Sequence, residues 1–198
     1  MQKILYIGNF SFPHGNASGS RVYGNGMLFK DIGYETVFVG LSDNLTLPTN
    51  LIQTKENYNG FDFYNFPYPK GFKDWLSFNS RFNNLKSDLL DKVDFDIVIS
   101  YGSPGLSLFN LKLKKWCNQN KVKYVLDIVD LIPSVTGGII HKLIKNLDEY
   151  NQKQFLPKTA DKLIVISSYL ESKYKRVNSS IVVLPPLIDE ERYKNLVF

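Results

Sequence analysis

The sequence predicts an α/β domain of Rossmann-like architecture, in which a mostly parallel sheet carries helices on both faces. Short apolar runs rich in β-branched residues alternate along the chain with segments of helical periodicity, which is the pattern of right-handed β-α-β crossovers. The runs are almost continuously apolar, as expected of strands buried on both faces. We therefore expect at least six strands, mainly parallel, with the first of them at or near the centre of the sheet.

Seven segments are predicted as strands, because each is a short apolar run bounded by polar or turn residues. In chain order they are Ile4–Ile7, Tyr34–Gly40, Phe61–Phe66, Phe95–Ser100, Val122–Val129, Ala160–Ser167 and Ser180–Asp189. Pro185 and Pro186 are expected to stop the last strand, since proline cannot donate a ladder hydrogen bond. The polar stretch Ser42–Gly60 is predicted to be an irregular excursion over the surface.

Four segments are predicted as helices from the spacing of their apolar residues, and a short fifth helix is expected after a capping serine, Ser167 or Ser168. The buried face of the first helix is expected to hold Phe29 and Ile32, and that of the fourth to include Leu147. In chain order the five are Arg21–Gly33, Lys73–Val93, Leu106–Asn120, Gly138–Phe155 and Ser168–Arg176.

Composition and charge narrow the class of protein. Of the 198 residues, 43% are hydrophobic and 22% charged, which indicates a globular rather than a disordered chain. The formal net charge of +5 favours acidic partners such as phosphates, an anionic membrane surface or nucleic acid. The single cysteine, Cys117, is expected to fill space in the core or on the surface rather than to act as a nucleophile. No signal peptide or membrane-spanning run is visible, so a cytoplasmic protein is expected.

A glycine-rich loop, Gly8–Ser20, follows the first predicted strand and precedes the helix expected to begin at Ser20 or Arg21. Small residues let a ligand approach the backbone, and the N–H groups of a helix start attract an anion, most simply a phosphate. The glycine spacing does not match a dinucleotide fingerprint, and there is no Walker lysine. The alternative is a flexible connecting loop.

Two carboxylates flank the end of the strand that precedes Pro133. Asp130 lies just past the strand and could bind a ligand hydroxyl as a catalytic group, or it could serve as a cap or turn residue. Asp127 lies within the apolar run and is the weaker catalytic candidate, since a buried partner role suits it. Other residues could line an acceptor cleft at the same edge of the sheet. These are His14, Tyr101 and Ser103.

Three stretches resemble, in their order and spacing, the amino-terminal half of family 4 glycosyltransferases, which have the two-domain GT-B fold. The first, residues 4–40, contains a strand, a glycine-rich loop, a helix and a second strand. The second, VLDIVDLIPS at Val125–Ser134, is similar to the family pattern E/D-x-x-D-L-W-P-E. It has Ile132 where tryptophan is frequent and Ser134 where an acid is frequent. The third is the strand, helix and strand over residues 160–189.

The resemblance implies that residues 1–189 form a Rossmann-like, acceptor-side domain, and that residues 190–198 begin a linker to a missing C-terminal domain that binds the donor. Family members transfer a sugar, with retention of configuration, from a nucleotide-sugar donor without a required metal. The implied acceptor is a glycan or a lipid-linked molecule in bacterial cell-surface polysaccharide or glycoconjugate synthesis, and no cofactor is implied. The isolated chain is expected to be inactive.

By the same resemblance, the opening loop would lie against the phosphates or the transferred sugar of the donor. The residues expected to make these contacts are Gly15, Ser18, Gly19, Ser20 and Arg21.

Other hypotheses fit parts of the pattern. A non-catalytic, flavodoxin-like module that binds a small molecule or a protein would have the same alternation of strands and helices. Nucleic-acid binding rests on net charge alone and is not expected, because no basic helix or RNA-binding motif is present. The aromatic and basic stretch with Phe66, Tyr68, Lys70, Phe72 and Lys73 would suit peripheral contact with the inner face of a membrane, or would pack on the domain's own surface.

Overall fold

Eight strands form a single sheet in the computed structural model, which describes residues 1–45, 52, 54–70, 72–102, 107–130 and 146–187. Their order across the sheet is β3-β4-β2-β1-β5-β6-β7-β8, and every neighbouring pair is parallel except β3 with β4. The strands are β1 (Gln2–Gly8), β2 (Tyr34–Ser42), β3 (Glu56–Tyr58), β4 (Phe61–Pro67), β5 (Ile97–Tyr101), β6 (Lys123–Ile128), β7 (Lys162–Val165) and β8 (Ile181–Val183).

The predicted α/β class, with a mostly parallel sheet and a central first strand, is confirmed. β1 lies fourth in the sheet, and its consecutive apolar residues are buried on both faces. Leu5 and Ile7 belong to one core, while Ile4 and Tyr6 belong to the other. A strand with a layer on each side has no solvated face, which explains why its sequence is apolar without alternation.

The prediction of an irregular excursion over Ser42–Gly60 is wrong for β3. This three-residue strand pairs antiparallel with β4 across the two-residue turn Asn59-Gly60, whose φ angles are 51° and 84°. Positive φ at both central positions is what a tight type I′ hairpin requires, and Asn-Gly is its commonest sequence. The dipeptide between Tyr58 and Phe61 was therefore a readable signal in the sequence.

Helix α1 (Ala17–Asp31) covers one face of the sheet and begins four residues before the predicted start at Arg21. The reason is Asn16, whose side chain accepts the Gly19 N–H at 2.7 Å and caps the helix. At the other end, Ile32 follows the last helical residue and is 61% exposed. Its predicted place on the buried face is wrong, because the helix has already ended there.

The opposite face carries the other helices of the described residues. Residues 72–90 form one helical stretch, made of α2 (Phe72–Ser77), a 3₁₀ turn, α3 (Arg81–Leu85) and a π-helical turn. It is followed by α4 (Ser107–Asn120), by α5 (Leu156–Thr159), which continues the helical residues 146–155, and by α6 (Ser168–Tyr174). The predicted cap of the last helix is confirmed, since the Ser167 side chain accepts the Leu170 N–H.

The apolar spacing in the predicted helix Lys73–Val93 is confirmed as a core-forming pattern. The residues of this pattern that are buried in the core on that face are Phe78, Phe82, Leu85 and Leu89. Cys117 on α4 is buried in the same core, and burial raises the pKa of its thiol to about 12. A thiol held neutral in apolar surroundings suits the filler role expected for it.

The predicted burial of Leu147 is wrong. Leu147, predicted to face inward, is 66% exposed, and its neighbour Asp148 is the buried residue of this helix turn instead.

In the aromatic and basic stretch, Phe66 belongs to the core, while Tyr68, Lys70 and Lys73 are exposed. The side chain of Phe72 and residues 131–145 lie outside the described part of the chain. None of the described helices is long and apolar enough to cross a bilayer.

Asp161 joins β6 and α4 to the strand that follows it. Its carboxylate accepts the Tyr124 N–H at 2.9 Å and pairs with Lys114 at 3.3 Å. Partial burial acts to raise the pKa of this carboxyl, but the Tyr124 N–H and the Lys114 ammonium outweigh it and lower the pKa below 3.8.

We expect Asp161→Asn to lower the free energy of unfolding at pH 7 by about 1 kcal/mol, because it removes a partly exposed charge-assisted pair. An acid with a lowered pKa in the folded state stabilises the fold above pH 3.8, and that contribution is lost as the pH falls through the folded-state pKa. Urea titrations of wild type and variant should therefore converge below that pH. Asp31→Asn, a control at an exposed carboxylate, should leave the free energy of unfolding at pH 7 close to that of wild type.

Candidate functional site

A crevice is expected where the strand order reverses, between β1 and β5. The chain runs from β1 to β2 and β4, then returns to the other side of β1, and ligands of open parallel sheets bind beyond the carboxyl ends of strands at such a point. Gly8 at the end of β1 is paired with Tyr101 at the end of β5. The Asn9 N–H donates to the Tyr101 carbonyl at 2.9 Å. We call this side of the sheet the carboxyl edge.

Aromatic side chains anchor the loop that leaves β1. Phe10 and Phe12 are buried, and Phe12 stacks on Phe38 with the ring centroids 4.2 Å apart. The Leu41 N–H donates to the Phe10 carbonyl at 2.7 Å, which ties the loop to β2. The loop is therefore fixed to the core, and the two phenylalanines among its small residues are the sequence signal for this anchoring.

Gly15 lets this loop fold closely on itself, and Gly19 lets the loop pack against the start of α1. A Cβ atom on Gly19 would lie 2.0 Å from the Ser11 carbonyl oxygen, and one on Gly15 would lie 2.2 Å from Ser11 Oγ. The N–H groups also have partners within the chain: Gly15 donates to the Ser11 carbonyl, Gly19 to the Asn16 side chain, and Ser20 to the Asn16 carbonyl. Contacts of these residues with a donor phosphate stay a prediction.

Beneath the loop, four buried side chains form a polar network that joins α1 to β1 and β6. Arg21 Nη2 donates to Asp127 Oδ1 at 3.0 Å, and Nη1 donates to the Leu184 carbonyl at 3.0 Å. The Tyr6 hydroxyl donates to Asp127 Oδ2, and the Asn25 side chain donates to the Tyr6 oxygen at 3.0 Å. Arg21 was expected at the donor phosphates and Asp127 was the weaker catalytic candidate; the structure pairs the two inside the fold.

The charges of this network depend on one another. Burial raises the pKa of the Asp127 carboxyl, while Arg21 and the hydrogen bond from Tyr6 act in the opposite direction. Burial, followed by the nearby Asp127 charge, raises the pKa of the Tyr6 hydroxyl well above 10. Tyr6 therefore remains a donor at neutral pH. Tyr6 and Asn25 were not singled out in the sequence, since each reads there as an ordinary strand or helix residue.

A cavity of about 310 Å³ opens at the carboxyl edge, beside the ends of β5 and β6. Its walls combine apolar residues such as Leu126, Ile128 and Leu156 with polar side chains. Among the polar residues lining the cavity are Asn9, Ser18, Tyr101, Asn110, Asp127, Asp130 and Gln152. A mostly apolar pocket with a few convergent polar groups is the usual form of a small-molecule site.

The cavity brings together four of the residues singled out from the sequence. Asp130 lies on its wall with an exposed side chain, and Asp127 contributes from beneath. Ser18 in the first turn of α1 accepts a hydrogen bond from the Tyr101 hydroxyl at 3.1 Å, and both residues line the cavity.

Two of the predicted cleft residues are not part of this arrangement. The His14 ring lies against the rings of Tyr23 and Tyr58, with centroid distances of 4.9 and 5.6 Å, and is not on the described wall of the cavity. Ser103 lies outside the described residues, as do Ile132 and Ser134. The acceptor contacts predicted for His14 and Ser103 stay predictions.

Asp148 was not found from the sequence, yet it closes the N-terminus of α4. Its carboxylate accepts the N–H of Ser107, the first residue of α4, and also accepts the Gln152 side-chain amide at 2.7 Å. The carboxylate neutralises the positive end of the α4 dipole, and the bond to Gln152 fixes one wall of the cavity. The only clue in the sequence was an acid four residues before an amide on one helix, a common surface pattern.

Among the residues that the structure describes, no group of three or more His, Cys, Asp or Glu side chains is placed to hold a metal ion.

The fold is shared with solved structures of low sequence identity. A sucrose-phosphate synthase from Thermosynechococcus elongatus is 14% identical with a TM-score of 0.57, and the alignment covers 100% of this chain and 53% of the other. An E. coli protein described as trehalose-6-phosphate bound with UDP-2-fluoro glucose is 13% identical with a TM-score of 0.60, over 96% and 50% of the two chains. A UGT transferase from Siraitia grosvenorii in complex with UDP is 11% identical with a TM-score of 0.53, over 96% and 52%.

The present chain spans about half the length of each of these proteins. No known protein family matches the sequence, and no curated protein matches it. At such identities the likeness establishes the α/β, Rossmann-like fold alone.

Proposed function

We propose that this chain forms the N-terminal, acceptor-side half of a retaining glycosyltransferase of GT-B architecture, which transfers a sugar from a nucleotide-sugar donor. The observation that carries the proposal is the cavity at the carboxyl edge, which joins Ser18 at the start of α1 to Asp130 beyond β6. The fold shared with sugar-transferring enzymes supports it, since two of those structures hold UDP or a UDP-sugar analogue. A second domain, beyond these residues, would bind most of the nucleotide.

The start of α1 suits the donor phosphates. Its cap is the neutral side chain of Asn16, and the first turn carries no acidic residue, so the positive end of the helix dipole is not neutralised within the helix. Ser18 adds a hydroxyl at the cavity wall. Because Arg21 is engaged with Asp127, the attraction for phosphate comes from the helix start rather than from its guanidinium.

Asp130 is the candidate for orienting the acceptor. A carboxylate accepts hydrogen bonds from sugar hydroxyls, and such charge-assisted bonds are the stronger kind. Its place beyond β6, next to the apolar wall of the cavity, suits a sugar ring with one apolar face.

The proposed acceptor class is a glycan or a lipid-linked molecule. For a lipid-linked acceptor, the exposed Tyr68, Lys70 and Lys73 suit peripheral contact with an anionic membrane.

Nucleotide-sugar binding is tested by amide chemical-shift mapping of the chain with UDP-glucose. We expect shifts at Ser18, Ser20 and Tyr101. None is expected at Gly60, because this hairpin turn precedes β4 and lies at the opposite edge of the sheet from the cavity. FMN serves as the probe for the alternative, a flavodoxin-like module. Shifts with FMN but not with UDP-glucose, or shifts confined to the hairpin, would overturn the proposal.

The isolated 198-residue chain is expected to release no UDP from UDP-glucose above background, because most of the nucleotide site would lie in the second domain. The measurement is a coupled assay for UDP with a panel of sugar acceptors. Turnover in the range of ordinary enzymes, about 1 to 1000 per second, would contradict the division of the site between two domains.

In a protein that carries both halves, Asp130→Asn is expected to lower kcat about a hundredfold, the usual scale for a positioned acid–base group. The near-isosteric change at an exposed position should leave the melting temperature unchanged. Asp31→Asn, at the far end of α1, is the matched control and should keep full activity. A kcat for Asp130→Asn within twofold of wild type would remove Asp130 from the catalytic assignment.

A further inference from the structure

We infer, on the basis of the proposed function, that Tyr101 is a positioning residue for the nucleotide sugar: it holds the Ser18 hydroxyl so that this group donates a hydrogen bond to a phosphate oxygen. The sequence suggested Tyr101 for the acceptor cleft only. In the structure its hydroxyl contacts Ser18, at the side of the cavity that the proposed function gives to the nucleotide sugar.

The fold holds Tyr101 in one place. Its backbone pairs with Gly8 of β1, and the Asn9 N–H donates to its carbonyl at 2.9 Å. Its ring lies edge-on to that of Phe10, with the ring centroids 6.0 Å apart, and the residue is 6% exposed. Phe10 is itself 1% exposed. A ring packed in this way has little room to turn, so the hydroxyl at its end stays at a fixed point of the cavity wall.

The Tyr101 hydroxyl acts as a donor toward Ser18. Burial raises the pKa of this hydroxyl above 10, although the bond to Ser18 acts in the opposite direction. The hydroxyl therefore keeps its proton at neutral pH. That proton is directed at Ser18 Oγ, 3.1 Å away, which joins the end of β5 to the first turn of α1.

The proton of the Ser18 hydroxyl is left for a ligand. A serine hydroxyl has one donor and two acceptor sites, and the bond from Tyr101 occupies one of the acceptor sites. A serine within a helix often donates to the carbonyl one turn earlier, but Ser18 donates to no group of the described residues. Because Ser18 lines the cavity, its proton can meet an oxygen atom of a molecule bound there.

A phosphate oxygen gains most from a hydroxyl that is oriented in advance. Ser18 lies in the first turn of α1, where the cap is the neutral Asn16 and no residue is acidic, so the positive end of the helix dipole adds to the attraction for an anion. A hydrogen bond to a charged acceptor is about twice as strong as one between neutral groups. Without Tyr101 the hydroxyl would rotate freely, and binding would bear the cost of ordering it.

The inference is tested by amide-shift titrations of the 198-residue chain with UDP-glucose and with inorganic pyrophosphate. Tyr101→Phe removes the hydroxyl and keeps the ring, so we expect an unchanged fold and an affinity lower by about fivefold, the worth of one ordinary hydrogen bond. The matched control is Tyr23→Phe. Tyr23 is similarly buried in the same core, its hydroxyl accepts a hydrogen bond from Asn59 at 3.0 Å, and it is not among the described residues that line the cavity. The control should bind as wild type does.

A double variant separates positioning from direct contact with the ligand. If Tyr101 acts through Ser18, Tyr101→Phe should weaken binding no further once Ser18→Ala has removed the group that it holds. An equal further loss in the Ser18→Ala background would mean that Tyr101 touches the ligand or acts on the fold alone. Wild-type affinity in Tyr101→Phe would mean that its hydroxyl has no part in binding. Either result overturns the inference.

Thermal unfolding shows whether Tyr101→Phe keeps the fold. If it does not, Ser18→Thr and Ser18→Val decide. Threonine keeps a hydroxyl for Tyr101 to hold, whereas valine has nearly the same shape without one. Tighter binding by Ser18→Thr supports the inference, and equal affinities of the two variants overturn it.

The outcomes also separate the inference from the proposed function. Shifts at Ser18 with UDP-glucose that do not depend on Tyr101 overturn the inference and leave the proposed function standing. If pyrophosphate shifts Ser18 with an affinity that depends on Tyr101, while UDP-glucose shifts nothing, the inference holds for a phosphate ligand and the nucleotide-sugar proposal is overturned. No shift with either ligand overturns both.

Discussion

Replacing Asp127 by alanine is expected to lower the free energy of unfolding by about 3–5 kcal/mol, the usual cost of removing one member of a buried ion pair. The reason is the charge that is left behind. Arg21 would remain buried with a full positive charge and with the Leu184 carbonyl as its one remaining acceptor in the network. The Tyr6 hydroxyl would lose its acceptor at the same time, which adds the cost of an unsatisfied buried donor.

Urea or thermal unfolding at pH 7 measures this loss, and two further variants interpret it. Asp91→Ala breaks the Lys86–Asp91 pair, whose side chains are 48% exposed, and should cost less than about 1 kcal/mol. The double variant Arg21→Met with Asp127→Leu removes both charges and should recover most of the stability. A loss for Asp127→Ala as small as that for Asp91→Ala would show that the network is not the anchor of α1.

The network matters for function because of what it joins. Arg21 connects α1 to β6 through Asp127 and to the segment after β8 through Leu184. Ser18 and Asp130, the two candidate contacts with substrate, lie three residues from Arg21 and Asp127 along the chain. The ion pair therefore holds both sides of the cavity in a fixed relation, and the site depends on it indirectly.

The fold could be predicted from the sequence because its elements depend on local patterns. Apolar runs such as Ile4–Ile7 and the spacing of Phe78, Phe82, Leu85 and Leu89 identify buried strands and a buried helix face without knowledge of any partner. The start of α1 was predicted too late, since Asn16 was as good a cap as Ser20. The hairpin β3–β4 was missed although Asn59-Gly60 signals it.

The candidate site was less predictable, because its partners are distant in sequence. Arg21 and Asp127 are 106 residues apart, and Asp148 meets Ser107 across 41 residues. In the sequence, Arg21 beside a glycine-rich loop resembles a phosphate ligand, and only the structure shows that Asp127 pairs with it. The common location of Asp130 and Ser18 at the cavity could be anticipated, because the carboxyl ends of parallel strands and the helix starts that follow them lie at one edge of a sheet. Their roles toward a substrate stay predictions.

Gly8→Ala is expected to be among the most damaging single substitutions in the chain, costing about 3 kcal/mol or more. A Cβ atom at Gly8 would lie 2.0 Å from the Tyr101 carbonyl oxygen and 2.7 Å from its carbonyl carbon. The obstacle is backbone and cannot turn aside as a side chain would. β1 and β5 would have to separate where they are paired, and the bond from the Asn9 N–H to Tyr101 would be lost.

The matched control is Gly24→Ala in the interior of α1. Its Cβ would meet Leu187 Cβ at 3.3 Å, and the gain in helix propensity, about 1 kcal/mol, offsets the tight contact, so stability should change by less than that amount. Urea unfolding compares the two variants, and the amide shifts of Ser18 and Asp130 report whether the cavity persists. Because Tyr101 holds Ser18 through its hydroxyl, a separated β5 would also displace the start of α1. Wild-type stability in Gly8→Ala would mean that β1 and β5 do not approach this closely, and that the crevice between them has a different geometry.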